Sequence, residues 1–155
     1  MTKGAVALPY STFFDVERVM RGFMIGLIMA ALFSGAALAQ TSDNAEIQGT
    51  IRSQIDAFLA DDLDRAFGYA SPTIQGLFGS AGNFGKMVQQ GYPMVWRPDD
   101  VRFGSLRQIE GNMWQQVIVR DGQGMTHVLD YQMVMQDGEW RIGGVQILQQ
   151  PEVSA

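Results

Sequence analysis

The sequence predicts an α+β domain, with helices in its first half and an antiparallel sheet in its second half. Apolar residues recur at helical spacing up to Phe67, and from Val101 they alternate with polar residues at a period of two. Turn signals such as Asp137-Gly138 separate the alternating segments, which indicates hairpins. We therefore expect N-terminal helices packed on a curved antiparallel sheet of about four strands.

The first predicted helix has the clearest pattern in the chain. Asp43 or Asn44 can cap it, and Glu46 places a negative charge in its first turn. Its apolar residues recur every three or four positions and form one stripe, made of Ile47, Ile51, Ile55, Phe58 and Leu59. This stripe is expected to face the sheet.

Shorter helices with their own start signals follow. Asp61 or Asp62 can cap a helix that carries Leu63, Ala66 and Phe67. Ser71-Pro72 repeats the signal, because a capping hydroxyl precedes a proline at the first helical position.

Glycines at positions 76, 79, 82 and 85 predict a flexible connection around a short helix that carries Phe84, Met87 and Val88. A phosphate-binding loop is disfavoured, since no strand precedes the glycines and no Lys-Ser/Thr pair closes them. Two prolines favour an extended segment from Tyr92 to Pro98.

The second half contains four predicted strands. Gly143-Gly144 in the last strand predicts a bulge, since Trp140, Ile142 and Val145 share one face only if the alternation shifts there. The first strand begins at Val101, and the other three cover residues 114–120, 126–135 and 140–148.

The segment before the domain has the three parts of a secretory signal. Arg18 and Arg21 form a basic flank, residues 22–33 carry no charge, and a small-residue site ends at Ala39. We expect cleavage between Ala39 and Gln40, which makes residues 1–39 a signal peptide and residues 40–155 one domain that is periplasmic or secreted.

Two alternatives concern this segment. An uncleaved anchor is disfavoured, because the strongly apolar part ends at Phe33 and no basic cluster follows, so we expect no stable membrane span after processing. Met20 is an alternative start residue, since Met20-Arg21-Gly22 would itself open a compact signal peptide.

The composition of residues 40–155 narrows the function classes. Eight Lys or Arg and 14 Asp or Glu give this part a net charge of −6, which disfavours binding to nucleic acid. The chain has no cysteine, so thiol chemistry and cysteine-ligated metals are excluded. We expect no metal and no cofactor, because there is one histidine and no ordered carboxylate spacing.

Three stretches resemble a bacterial family called domain of unknown function 4864. They are residues 66–75 (AFGYASPTIQ), 92–98 (YPMVWRP) and 140–145 (WRIGGV). The order of elements is also similar to the cone-shaped nuclear-transport-factor-2-like fold, also called SnoaL-like. The resemblance covers about residues 47–149 and implies a fold but no activity.

The face of the third strand that carries His127 supplies the candidate site. His127 shares this face with Tyr131 and Met133, and the segment containing Tyr92 and Trp96 is expected to close one side of a cavity. A histidine bonded to backbone near a strand end is the simpler interpretation of His127. Asp61, Asp62 and Asp64 are better explained as helix caps than as a catalytic base.

Two functions of different classes follow from these residues. The first is a non-enzymatic module that binds a small apolar molecule or a partner protein of the cell envelope. The second is a small acid–base enzyme of the dehydratase or isomerase type that uses His127 in the cone cavity. The first is preferred, because no polar cluster around His127 is visible in the sequence.

Overall fold

The computed structural model describes residues 34–148, with side chains from residue 41 onward. The chain divides into two compact units, Met1–Thr41 and Ser42–Ala155, and the second is described below. Most of the predicted signal peptide lies outside the described residues, and the predicted cleavage residues Ala39 and Gln40 fall within the first helix.

The fold class is α+β, as predicted. In the described part of the chain, five helices precede four strands. The helices are α1 (Ser34–Leu59), α2 (Leu63–Gly68), α3 (Pro72–Phe78), α4 (Ala81–Gly91) and α5 (Pro93–Trp96). The strands are β1 (Pro98–Ile109), β2 (Asn112–Asp121), β3 (Thr126–Gln136) and β4 (Glu139–Leu148). No helix among residues 34–148 is long and apolar enough to cross a membrane.

Helix α1 buries the predicted stripe but begins earlier than expected. Four stripe residues are 3% exposed or less, namely Ile47, Ile51, Ile55 and Phe58, whereas Leu59 is 47% exposed. The predicted cap at Asp43 or Asn44 is wrong. Residues 34–43 contain no proline and several alanines, so the helix continues through them, and Asn44 Oδ1 accepts a bond from Gln48 within it at 2.6 Å.

The carboxyl end of α1 is capped by the side chain of Arg97, which is distant in sequence. The guanidinium of Arg97 donates to the carbonyl of Phe58 at 2.6 Å, pairs with Asp61 and lies over the ring of Trp96. A cation at this end also opposes the negative end of the helix dipole. The segment after α5 is thereby attached to α1.

The capping predictions for the next two helices are confirmed. The Asp62 carboxylate accepts a hydrogen bond from the amide of Arg65 at 3.1 Å. The Ser71 hydroxyl accepts one from the amide of Ile74 at 3.4 Å, with Pro72 at the first helical position. Helix α3 ends at Gly79, whose φ of 72° is a left-handed conformation that glycine adopts without strain.

The region of closely spaced glycines contains the predicted short helix, which is α4. Helix α5 follows directly after the end of α4. The extended conformation predicted for residues 92–98 is wrong, because residues 93–96 form one helical turn. Pro93 occupies the first position of that turn, where a helix does not need the missing amide hydrogen. Pro98 then opens β1, earlier than the predicted start at Val101.

The four strands form one open antiparallel sheet in the order β1-β2-β3-β4. Asp137 and Gly138 make the predicted tight turn, with φ of 51° and 81°, and Glu110-Gly111 makes a similar turn that the sequence reading overlooked. The predicted bulge in β4 is confirmed. Gln132 pairs with Gly144 while Met133 pairs with Ile142, which leaves Gly143 as the extra residue.

One hydrophobic cluster joins the helices to one face of the sheet. We call this face the helix-facing face; its fully buried residues alternate along the two central strands. They are Gln115, Val117 and Val119 on β2, and Leu129, Tyr131 and Met133 on β3.

Candidate ligand-binding site

An apolar cavity of about 270 Å³ lies between the helices and the end of the sheet formed by β3 and β4. This volume is close to the lower end of the range of about 300–1,000 Å³ that is typical of small-molecule sites. None of the lining residues is charged. Helices α1, α3 and α4 contribute Phe58, Ile74, Leu77, Phe78, Phe84, Met87 and Val88, and the sheet contributes Tyr131, Ile142 and Val145.

Phe84 of α4 is the centre of the aromatic side of the cavity. Its ring centroid lies 5.3 Å from that of Phe67, 5.8 Å from that of Phe78 and 6.0 Å from that of Phe58. Centroid distances in this range are favourable for aromatic pairs. Phe84 therefore connects α1, α2 and α3 on one side of the cavity.

Helix α3 is the most solvent-exposed wall of the cavity. No residue of this helix is buried, and Leu77, which lines the cavity, is 73% exposed. The start of α3 is fixed to β4, because the Ser71 amide donates to the Ile142 carbonyl at 2.8 Å and the Ile142 amide donates to Tyr69 at 2.9 Å. The cavity thus has one wall that is attached to β4 just before its first residue and is only partly buried, through Ile74, Gln75 and Phe78.

Three polar side chains line the cavity, and two of them donate a hydrogen bond to backbone. The Tyr92 hydroxyl donates to the Val145 carbonyl at 3.0 Å, and the Gln54 amide nitrogen donates to the Ala66 carbonyl at 3.1 Å. The Tyr131 hydroxyl is buried and has no hydrogen-bond partner among the described residues.

Burial, with a smaller contribution from nearby Tyr92, raises the pKa of Tyr131 well above its ordinary value. The hydroxyl therefore stays protonated across the physiological pH range. It has essentially no accessible surface, so a molecule in the cavity does not reach it in this structure.

His127 lies on the predicted face of β3, opposite Val119, but it does not line the cavity. Its Nε2 is 2.8 Å from an Asp121 oxygen, and this hydrogen bond is the main reason why the pKa of Asp121 lies below its ordinary value. Asp121 also accepts the amides of Gln123 and Met125 at 2.9 Å. The pair therefore holds the turn between β2 and β3 together.

The other predicted site residues have different positions. Tyr131 and Tyr92 line the cavity, whereas Met133 is buried in the core and Trp96 packs on Phe58 with ring centroids 5.5 Å apart. Asp61, Asp62 and Asp64 are exposed and do not line the cavity. Sequence reasoning missed Gln54, Ile74, Leu77 and Phe78, because the packing of α1 and α3 is not encoded in local spacing.

A second, more open cleft of about 370 Å³ lies between α1 and the start of β4. It contains Glu46, Glu139 and Arg141, and Arg141 is already bound to Glu139 and to the carbonyl of Gly68. The apolar cavity is the better candidate, because it is more enclosed and no charged residue lines it. In the part of the chain that the structure describes, no group of His, Asp and Glu side chains could hold a metal ion.

Comparison with known proteins gives one match. The model of the family described as "Domain of unknown function (DUF4864)" matches residues 40–155, which include every residue that lines the cavity. No curated protein and no solved structure matches the chain.

Proposed function

We propose that this chain, which belongs to the family of domain of unknown function 4864, is a non-enzymatic module that binds a small, mostly apolar molecule. The observation that carries the proposal is the cavity of about 270 Å³ with uncharged, largely aliphatic and aromatic walls. Sites of this composition bind ligands mainly by burying apolar surface, and a few polar groups fix the orientation of the ligand.

We also propose a cellular location and a fold family for this protein. An exported protein, periplasmic or secreted, is supported by the signal-like residues before Gln40. A cone fold of the SnoaL-like type is supported by the order of elements and by the position of the cavity between the helices and one sheet face.

The positions of the polar groups favour binding over acid–base catalysis. A catalytic histidine would have to contact the bound molecule, but His127 contacts Asp121 at the hairpin and does not line the cavity. Asp121 accepts hydrogen bonds from two amides of the same turn, so its contacts stabilise the turn. His127→Gln is therefore a useful control, which should leave binding in the cavity unchanged.

The proposal is tested with N-phenyl-1-naphthylamine, a small apolar dye whose emission rises when it leaves water. Saturable binding by the protein spanning residues 40–155, and displacement of the dye by lipophilic metabolites, are expected. Ile74→Trp should fill part of the cavity and abolish most of the binding, because Ile74 lines it and is partly buried. Ile109→Trp is the matched control, since Ile109 is 44% exposed and does not line the cavity.

Thermal denaturation gives a second readout. A ligand that binds only the folded state at a hundred times its Kd adds about 2.7 kcal/mol of stability. The midpoint should rise for the wild type, His127→Gln and Ile109→Trp, and not for Ile74→Trp. Equal dye binding by Ile74→Trp and the wild type would show that the dye binds elsewhere and would overturn the proposal.

A further inference from the structure

Gln54 is a polar residue on the buried face of α1. It is 3% exposed, and it lines the apolar cavity together with Phe58, which lies one helical turn further along α1. It does not line the second, more open cleft. Because the core encloses the rest of the residue, we assign the small accessible part of its surface to the apolar cavity.

The two ends of the Gln54 amide have different surroundings. Its Nε2 donates to the Ala66 carbonyl at 3.1 Å. A carbonyl oxygen only accepts hydrogen bonds, so this contact fixes which end of the amide is the nitrogen. The other end, Oε1, has no hydrogen-bond partner among the described residues. Gln54 therefore has a hydrogen-bond acceptor that the protein itself leaves unused.

This oxygen is also accessible, unlike other unpaired polar atoms of the interior. Four side-chain atoms of the described residues are both unpaired and inaccessible, on Arg107, Gln115, Tyr131 and Trp140. The Oε1 of Gln54 is unpaired as well, but it is not one of these atoms, so it retains accessible surface. A molecule in the cavity can therefore reach Oε1.

The charge of the cavity restricts what can meet this oxygen. An ammonium group could donate to Oε1, but no lining residue carries a charge, so it would lose its hydration without gaining an ion pair. A neutral hydroxyl loses far less hydration, and a hydrogen bond to an amide oxygen compensates for that loss. A ketone or ester oxygen cannot donate, so it gains nothing from Oε1.

We propose that the ligand is a neutral, mostly apolar molecule whose one hydroxyl donates a hydrogen bond to Oε1 of Gln54. This inference rests on the proposed function and adds the chemical class of the ligand. Apolar alcohols and phenols belong to this class, whereas hydrocarbons and simple ketones do not.

Three probes of equal size separate these classes. Isopropylbenzene, 1-phenylethanol and acetophenone have the same number of non-hydrogen atoms and the same branched skeleton, but they present a methyl group, a hydroxyl and a carbonyl. Their Kd values are measured by NMR titration of the protein spanning residues 40–155. Each is measured for the wild type, Gln54→Met and Gln75→Met.

Gln54→Met replaces the amide with an apolar group of similar length. It should weaken the binding of 1-phenylethanol by about three- to tenfold, which is the usual contribution of one neutral hydrogen bond. It should leave isopropylbenzene and acetophenone unchanged or slightly tighter. The Ala66 carbonyl still accepts the Tyr69 amide at 3.3 Å in this variant, so no buried acceptor is left without a partner.

Gln75→Met is the matched control. The Nε2 of Gln75 donates to the Phe67 and Ala70 carbonyls at 3.1 and 2.9 Å, so this residue also links a helix to the backbone of α2 and its end. It does not line the cavity. Any effect of Gln75→Met should therefore be equal for the three probes.

The side-chain carbonyl carbon of Gln54 gives a readout that needs no variant. Its carbon-13 resonance in the wild type should move downfield with 1-phenylethanol, because the hydroxyl polarises the amide carbonyl, and it should move less with isopropylbenzene. Equal shifts with these two probes, or equal weakening of all three probes by Gln54→Met, would overturn the inference and leave the apolar binding function standing.

Two further outcomes are distinguishable. Loss of acetophenone binding in Gln54→Met with 1-phenylethanol unaffected would show that the amide donates to the ligand, and would overturn the hydroxyl class. Failure of all three probes and of the dye to bind the wild type would instead overturn the proposed function.

Discussion

At the scale of single residues, the cavity combines two tyrosines with the same chemistry and different surroundings. The Tyr92 hydroxyl has a backbone partner at 3.0 Å, whereas the Tyr131 hydroxyl is buried without one. Removing a hydroxyl that is hydrogen-bonded costs stability, whereas removing one that is buried and unbonded does not. The two residues therefore separate the loss of a hydrogen bond from the loss of a hydroxyl alone.

We expect Tyr92→Phe to lower the free energy of unfolding of the ligand-free protein by about 1 kcal/mol. Tyr131→Phe should leave it unchanged or raise it slightly, because the phenyl ring fills the same space and no hydrogen bond is lost. Urea denaturation of both variants measures the difference. A loss for Tyr131→Phe as large as that for Tyr92→Phe would mean that the Tyr131 hydroxyl has a stabilising partner, such as a buried water.

Phe58 gives a second prediction at this scale. It is 1% exposed, belongs to the hydrophobic cluster and contacts the rings of Phe84 and Trp96. Phe58→Ala should destabilise the protein by about 3–5 kcal/mol, through lost burial and an enlarged cavity. The adjacent residue Leu59 is 47% exposed, so Leu59→Ala should cost less than about 1 kcal/mol. Similar denaturation midpoints for the two variants would show that the buried face of α1 is misassigned.

At the scale of elements, the hairpin between β2 and β3 contains the one histidine of the sequence. The hydrogen bond from His127, together with the amides of Met125 and Gln123, holds the pKa of Asp121 below its ordinary value of 3.8. A carboxyl group whose pKa is depressed by folding stabilises the folded state once it is ionised. The Asp121 contribution is therefore complete at pH above about 3.8 and is lost as the pH falls through the lower pKa of the folded state.

Asp121→Asn tests this expectation. The wild type should be more stable than the variant near neutral pH, and the difference should shrink only as the pH falls below about 3.8. Unfolding measured in urea at several pH values between about 2 and 7 gives the profile. Asp100→Asn is the control; its carboxylate pairs with the 74% exposed side chain of Arg102, so a smaller loss near neutral pH is expected. A stability difference that does not change with pH would contradict the ionic contribution of Asp121.

The same elements show how far local sequence determines this fold. Alternation and turn residues predicted the strands, and Gly143-Gly144 predicted the bulge, because each is specified by residues close together in the chain. The error at residues 92–98 arose because proline is compatible both with an extended chain and with the first residue of a helix. The start of α1 was missed because Asp43 and Asn44 are tolerated inside a helix as well as at its cap.

The candidate site could be predicted only in part for a related reason. Alternation placed Tyr131 on the helix-facing face of β3, and it placed His127 on the same face near the strand end. Whether a residue lines the cavity depends on where α3 and α4 pack, which requires contacts between residues far apart in sequence. The cavity position of Phe84 is of this kind. Asp121 and His127 are only six residues apart, so the hairpin signal between β2 and β3 could have revealed their pairing.

At the scale of the whole molecule, two observations and one prediction place the start of the domain in one short region. The compact unit begins at Ser42, the family match begins at residue 40, and the predicted cleavage site lies between Ala39 and Gln40. Ile47 is the first buried apolar residue of the described chain, so removal of residues 1–39 would leave the whole buried stripe of α1 intact. The predicted loss of residues 1–39 is thus compatible with a complete core.

We therefore predict that protein recovered from the cell envelope begins at Gln40, because the small residues Ala37 and Ala39 precede it as in a signal-peptidase site. Intact-mass measurement identifies the start, and cyclisation of an N-terminal glutamine would lower the mass slightly without changing the conclusion. Ala39→Tyr should block processing, since the site requires a small side chain at this position. A wild-type mass that still includes residues 22–39 would replace cleavage with retention as an anchor. Equal thermal midpoints for the processed protein and the full chain would show in addition that residues 1–39 add nothing to the stability of the domain.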